Sequence, residues 1–471
     1  MASANSDPQN STHSTWKSSV FIIGGGLAGL AAASVLAPRG MKVTLFEAKG
    51  RLGGRAGSFT DPATGQMIDT CQHVSMGCCT TMAHFCRTVG IDHLLQAQPS
   101  LFFMTPDRQV SRMAAGRLPA PFHLARSFLR AHYLTWREKW RIVRGLARLR
   151  KEDPEKDPPF MDWLTHNQQT PRTISRFWGL VVTSALNETP DRIGLRYARK
   201  VFLDGFLNDR KGFEIELPKV PLGRLYGEEL QNWFHKHGVR ILLNQRIKGF
   251  RLEKNRIGSL EIAQEEPGRA DWYIAAVPFN RLLNLLPAET VAAYPAFANL
   301  PRLETSPITS VHLWYKRPVL DWPHLVLVEC VGQWVFNRGE VVPGEYYVQV
   351  VVSAARQFRG LGQEEIRRRV VEELAQLFPG ATADRLIRAR VVTEPHATFS
   401  ALPGVDQWRP PQTSPIENLF LAGDWTATGW PATMEGAVRS GYLAAQGLLR
   451  RMGKEDRSLP SDLGCNFNTC C

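Results

Sequence analysis

Apolar residues fall into short unbroken runs near both ends of the chain and into mixed patterns between them. Residues 20–23 (VFII) make a run of four closed by a cluster of glycines, the pattern of a strand buried on both faces. Residues 41–46 (MKVTLF) predict a parallel neighbour, and the stretch between predicts a helix entered through the glycines. Segment 21–37 is uncharged, but its glycines and its place between two strands favour this βα unit over a membrane span. Near the other end, 419–422 (LFLA) repeats the buried-strand pattern and 433–437 opens a helix. A middle group predicts a helix at 222–237, strands at 239–243, 246–252 and 259–262, and a strand over 270–278 stopped by Pro278. Between these groups, 97–220 read as mostly helical, broken by a charged, proline-rich linker at 151–159. Residues 279–385 mix strands at 308–314 and 346–352 with a helix at 364–377. No internal repeat or long low-complexity stretch interrupts this order.

The chemistry sits at the junctions. Gly24, Gly26 and Gly29 fill the slots of G-x-G-x-x-G: a sharp turn, a close backbone approach to a pyrophosphate, and tight helix–strand packing. The helix start beyond them offers free N–H groups and a positive dipole end to phosphate. Glu47 closes the second strand, where an acid accepts hydrogen bonds from an adenosine ribose. A second glycine turn at 51–55 ends in Arg55, a cation placed to close over the pyrophosphate. One such motif alone is weak; the three together point to a dinucleotide rather than to a ligand-free turn. The C-terminal half selects FAD over NAD. Gly423 and Asp424 end a strand, with the acid placed for a ribityl hydroxyl or an ordered water. Thr433, Met434 and Glu435 open a helix whose N–H groups would face the electron-poor edge of a flavin. No histidine or cysteine is placed for a flavin bond, so the FAD is expected to be non-covalent.

The expected fold is therefore α/β: a discontinuous Rossmann-like FAD-binding domain carrying an inserted α+β substrate domain. The cofactor pieces are 17–96, 221–278 and 386–452; the substrate pieces are 97–220 and 279–385; tails occupy 1–16 and 453–471. The aromatic residues Phe160, Trp163, Phe177, Trp178, Phe202 and Phe206 suit either an apolar cavity or an ordinary core.

Composition adds three points. The first sixteen residues are polar, with no cationic start leading into an apolar stretch, so an export signal is not expected. Eight cysteines lack a C-x-x-C pair; the four early ones (Cys71, Cys78, Cys79, Cys86) sit in a stretch that reads as buried helix, where Cys78, Cys79 and Cys86 read as packing residues rather than a metal or redox site. A reducing compartment and no metal site are expected, and the cysteines at 465, 470 and 471 have no assigned task. The net charge of +13 is uneven: residues 111–151 hold eleven Lys/Arg against the single acid Glu138. There Trp136, Trp140, Val143 and Ala147 recur at helical spacing beside Arg137, Arg141, Arg144, Arg148 and Lys151. This pattern suits an anionic membrane surface; a solvated basic face over a core-packed stripe is the alternative, and no nucleic-acid motif accompanies it.

The two glycine turns and the 423–441 signature resemble the phytoene desaturase and amine oxidase superfamily. Within it, 68–74 (IDTCQHV) with 77–79 (GCC), 176–190, 397–411 and 424–441 are similar to hydroxysqualene dehydroxylases, over roughly 18–450. Cys71 stands where a glycine usually precedes Gln72-His73. The resemblance implies reductive removal of a hydroxyl from hydroxysqualene, with hydride passing from reduced flavin to an allylic cation in hopanoid or sterol precursor synthesis. It also implies an unidentified electron donor and a long apolar isoprenoid substrate; the cysteine usage and the basic segment add the expectation of a cytoplasmic enzyme peripheral to the inner face of the membrane. His73 is the candidate general acid, Asp69 an anchor for its turn, and Trp430 a packing element beside the ring system. Two alternatives stay open: an oxidative carotenoid-type desaturase or related amine-oxidase-like flavoenzyme, and a non-catalytic flavin-bound membrane scaffold.

Overall fold

Five parallel strands form the central sheet, in the order Arg240–Leu242, Lys42–Phe46, Ser19–Ile23, Trp272–Ala275 and Leu419–Leu421. The computed structural model describes residues 18–62, 64–263, 265–456 and 458–463; the 1–16 tail and the cysteines at 465, 470 and 471 lie outside the described residues. Pieces from three distant parts of the sequence thus share one sheet, as the buried-strand patterns predict. Its first strand is central because Val20, Ile22 and Ile23 are buried, and such a run needs cover on both faces. Every residue of helix Leu27–Leu36 is buried, since helix Met434–Arg451 lies across it. A Cβ at Gly441 would sit 2.2 Å from the Ala28 carbonyl oxygen, so only glycine admits this approach. The two ends of the chain are thereby locked into one body.

The inserted region is built on a seven-stranded sheet. Its order is Leu386–Phe399, Thr305–Tyr315, Glu345–Val352, Trp334–Val342, His324–Leu327, Ser100–Met104 and Val110–Ala114. Two expectations are corrected here. Strand Leu386–Phe399 pairs with Thr305–Tyr315, so the chain returns to the cofactor layer only after Phe399, not at 386. Segment 97–220 supplies two strands of this sheet as well as helices. Residues 246–262 form a separate antiparallel hairpin, Ile247–Glu253 with Arg256–Ile262. The helix read over 222–237 begins as a π-helical turn, Arg224–Glu228, and continues as Glu229–Lys236.

Alternation along Thr305–Tyr315 divides the sheet's two faces. Val311, Leu313 and Tyr315 pack in one hydrophobic cluster with Ile366, Val370 and Leu374 of helix Gln363–Leu377. The opposite face carries Ser310, His312 and Trp314, buried although two are polar. Of the aromatic set, Phe160, Trp163, Trp178 and Phe202 are core, and Phe177 and Phe206 are partly buried against it. Trp178 and Phe202 stack edge-on at 4.7 Å, and Phe177 and Phe160 close on the same rings. Truncating Trp178 to alanine would cost about 3–5 kcal/mol. Of the early cysteines only Cys86 lies within helix Thr80–Thr88; Cys79 precedes it, and Cys71 and Cys78 lie in the preceding loop. No described helix is long and apolar enough to cross a membrane.

Candidate functional site

The first glycine turn is dictated by space. Gly24 has φ +111°, and a Cβ there would lie 2.3 Å from the Ala276 carbonyl oxygen. A Cβ at Gly29 would lie 2.0 Å from the oxygen of Gly24, so the helix sits directly on the turn. Gly26 precedes helix Leu27–Leu36 without a side-chain cap, which leaves the first helical N–H groups to an incoming anion. The second turn lies against the first: Gly53 N–H donates to the Gly25 carbonyl at 2.9 Å, and Gly26 faces Gly54.

Glu47 closes this cradle from the end of strand Lys42–Phe46. One carboxylate oxygen accepts from Gly25 N–H and the other from Lys49 N–H, each at 2.8 Å. Each oxygen keeps a further lone pair, so the group fits vicinal ribose hydroxyls while shaping the phosphate turn.

Arg55 is held in place by groups from the far end of the chain. Its guanidinium donates to the Ala397 carbonyl at 2.7 Å and to Asp424 Oδ1 at 2.5 Å. Burial works against its charge, but the Asp424 carboxylate and its hydrogen bond outweigh that and hold the pKa above its ordinary value. The cation and acid assigned separately to pyrophosphate and ribityl chain are thus one ion pair at the seam of the two chain ends. Asp424 itself is buried. Gly423 is pinned by its N–H to Ser440 Oγ at 2.7 Å.

Thr433 caps helix Met434–Arg451, its hydroxyl accepting from Gly436 N–H at 3.0 Å. The N–H groups of Met434 and Glu435 are left at the helix end, where a flavin's electron-poor edge would take them. The Glu435 side chain points elsewhere: its two oxygens accept from Thr81 and Met82 N–H at 3.1 and 2.7 Å, capping helix Thr80–Thr88. Burial raises its pKa. With its carboxylate committed there, Glu435 could serve a flavin only through its backbone.

The 69–73 turn joins cofactor layer to inserted sheet. Asp69 Oδ1 accepts from Ser58 Oγ at 2.6 Å and Leu222 N–H at 2.7 Å, and Arg338 reaches across to Asp69 and to Gln72 Oε1, the latter at 2.6 Å. Burial raises the Asp69 pKa against these partners. Burial also pushes the Cys71 thiol up to about 12, which makes it an inert packing group. His73 Nδ1 lies 3.0 Å from the Cys71 carbonyl, and its ring borders a small cavity with Tyr226, Glu216 and Met434. Burial lowers its pKa, so at neutral pH the ring is uncharged, with Nδ1–H on that carbonyl and a bare Nε2. An acid role for His73 therefore runs through a minority protonated form.

Sequence reasoning passed over Arg409. It is buried and donates to the carbonyls of Asp424 (3.0 Å), Thr426 and Trp430 (2.9 Å), holding the whole loop after strand Leu419–Leu421. Its Arg-Pro-Pro setting was visible, but nothing local reveals a carbonyl cluster folded around it. Trp430 is buried, with Lys200 Nζ 4.1 Å from its ring centroid.

The model of the "Flavin containing amine oxidoreductase" family matches residues 27–449. The chain is 30% identical to 15-cis-phytoene desaturase of Synechococcus elongatus, over 93% of this chain and 97% of that one. It is 26% identical to hydroxysqualene dehydroxylase of Zymomonas mobilis, over 90% and 97%. An oxidoreductase from Methanosarcina mazei shares the fold, with TM-score 0.70, 16% identity, and 90% and 99% covered. The chain belongs to the flavin-containing amine oxidoreductase family.

Proposed function

We propose that this protein holds FAD non-covalently and removes a hydroxyl group reductively from hydroxysqualene or a closely similar long isoprenoid, giving squalene. The observation that carries the reading is the 69–73 turn. Its sequence is what resembles hydroxysqualene dehydroxylases, and its side chains tie the cofactor layer to the inserted sheet through Asp69, Gln72 and Arg338. When bound, reduced FAD supplies the hydride. The balance is R–OH plus hydride plus a proton giving R–H and water, so a proton must reach the leaving oxygen.

His73 is the residue proposed to carry that proton. With Nδ1 committed to the Cys71 carbonyl, Nε2 is the atom left for transfer. Its lowered pKa makes the protonated form scarcer but more acidic than an ordinary imidazolium, which suits a poor leaving group such as hydroxide. Glu47 and the uncapped helix Leu27–Leu36 would hold the adenosine and pyrophosphate, and the start of helix Met434–Arg451 would stabilise charge at the flavin edge. An electron donor must reduce the flavin between turnovers.

A second reading is favoured by the similarity to 15-cis-phytoene desaturase: oxidative desaturation of a long polyene, with hydride passing to the flavin. That reaction needs no acid for a leaving hydroxyl. Parallel incubations separate the two, reduced protein with hydroxysqualene under anaerobic conditions and oxidised protein with a phytoene-like polyene. Squalene from the first and no new double bond in the second supports dehydroxylation; the reverse pattern replaces it. A flavin-bound scaffold would give neither product.

A further inference from the structure

The basic segment 111–151 has two apolar faces, and only one of them is used by the fold. Helix Trp136–Leu149 buries Ile142, Gly145 and Leu149 against the body of the protein. Gly145 packs so closely that a Cβ there would meet the Trp178 ring at 2.7 Å. The stripe read from the sequence lies on the other side: Trp136 is 70% exposed, Trp140 62% and Val143 46%. A core-packed stripe beneath a solvated basic face is therefore ruled out. The preceding segment adds Leu118, Phe122 and Leu129, also exposed. Phe122 and Leu129 are seven residues apart along the run Phe122–Leu124 into Ala125–Leu129, which brings them to one side. Lys139 joins the two parts, with Nζ donating to the Leu129 carbonyl at 2.7 Å and lying 5.0 Å from the Trp136 ring centroid. Single exposed apolar residues are ordinary; six in one short stretch, two of them tryptophan, mark a contact surface.

Charge identifies the occupant. Ten of the eleven cations in 111–151 are exposed, Lys139 being the exception. The one acid, Glu138, is consumed inside the fold, closing a capping box with Thr135 and pairing with Arg172 at 2.8 Å. We propose that this face, with Leu129, Trp136, Trp140 and Val143 at its centre and Arg126, Arg130, Arg137 and Arg144 around them, docks the protein on an anionic lipid bilayer. Tryptophan and leucine enter the boundary between headgroups and acyl chains while the arginines meet lipid phosphates. The inference stands on exposure and charge, independently of which reaction the flavin site performs.

The test uses full-length, flavin-loaded protein and vesicles of phosphatidylcholine alone or with one-third phosphatidylglycerol. Wild type should co-sediment with the anionic vesicles, show a blue shift in tryptophan emission, and lose binding as salt is raised. Trp136→Ser/Trp140→Ser and Arg137→Glu/Arg144→Glu should each weaken binding by about tenfold or more, with flavin content unchanged. Neither arginine has a described partner in the fold, and all four side chains lie outside the cofactor machinery. Equal binding by wild type and both variants would overturn the proposal by placing the lipid contact elsewhere. Failure of wild type to bind, with self-association lost in the tryptophan variant, would overturn it in favour of a second copy of the chain. Salt-sensitive binding of RNA or DNA without lipid binding would overturn it in favour of nucleic acid.

Discussion

Arg55 and Asp424 are 2.5 Å apart in space and 369 residues apart in sequence. The pair joins the second glycine turn to the loop behind strand Leu419–Leu421, tying together the two halves of the candidate cofactor site. Arg55→Met should leave the Asp424 carboxylate buried without its cation and weaken flavin binding by about 1.5–3 kcal/mol. Because the two side chains act as a unit, Arg55→Met/Asp424→Asn should cost clearly less than the sum of the single changes. Fluorescence titration of the apoprotein with FAD reads both. Strict additivity would mean that the two residues serve the cofactor separately.

Glu47 accepts the Gly25 and Lys49 amides, one on each carboxylate oxygen, and is proposed to accept from the ribose hydroxyls as well. Glu47→Ala should lower FAD affinity by about 1.5–3 kcal/mol, the range for hydrogen bonds to a charged group. Glu47→Gln keeps one carbonyl oxygen and should lie between. An alanine variant that retains flavin through extended dialysis as wild type does would remove the ribose assignment.

His73→Phe should keep flavin, because the ring's partner is the carbonyl of its own turn. Single-turnover oxidation of reduced flavin by hydroxysqualene should fall by about 10²-fold or more, the range for a lost general acid. In wild type the rate should fall as pH rises through a value below 6.5, since burial lowers the pKa and only the protonated ring can donate. A rate that rises with pH there would make His73 a proton acceptor instead.

Two buried histidines make the inserted sheet sensitive to acid. His312, hydrogen-bonded to the Tyr347 hydroxyl at 2.7 Å, is pushed down to about 3 by burial and by Arg390 and Arg338. His324 is pushed down to about 4, chiefly by burial. Between the folded pKa and the unfolded value near 6.5 the unfolded chain binds the extra proton, so stability is complete above 6.5 and is lost as pH falls. Each group contributes a slope of about 1.4 kcal/mol per pH unit in that window. His312→Gln should flatten the pH dependence of denaturant midpoints between pH 6.5 and 4.5. An unchanged slope would show that His312 already titrates normally in the folded protein.

What was legible in the sequence was local or strongly periodic. Gly24, Gly26, Gly29 and Glu47 occupy one βα unit, and their spacing alone determines which backbone groups meet. The Arg55–Asp424 pair was not legible, because two plausible ligand contacts 369 residues apart give no sign that they face each other. Helix capping explains Glu435: its backbone position follows from the helix start, while its carboxylate serves a different helix. Strand Leu386–Phe399 was assigned to the wrong layer because edge strands of either sheet look alike before their partners are known. Helical period found the Trp136, Trp140 and Val143 stripe, but two apolar faces on one helix leave open which of them meets the core.

The most direct test of the account is one anaerobic turnover of flavin-reduced protein mixed with hydroxysqualene, followed by flavin absorbance and product analysis. Reductive dehydroxylation predicts that oxidised flavin returns in a single phase with one squalene formed per flavin. Flavin that stays reduced, with hydroxysqualene recovered unchanged while the oxidised protein desaturates a polyene, would contradict it.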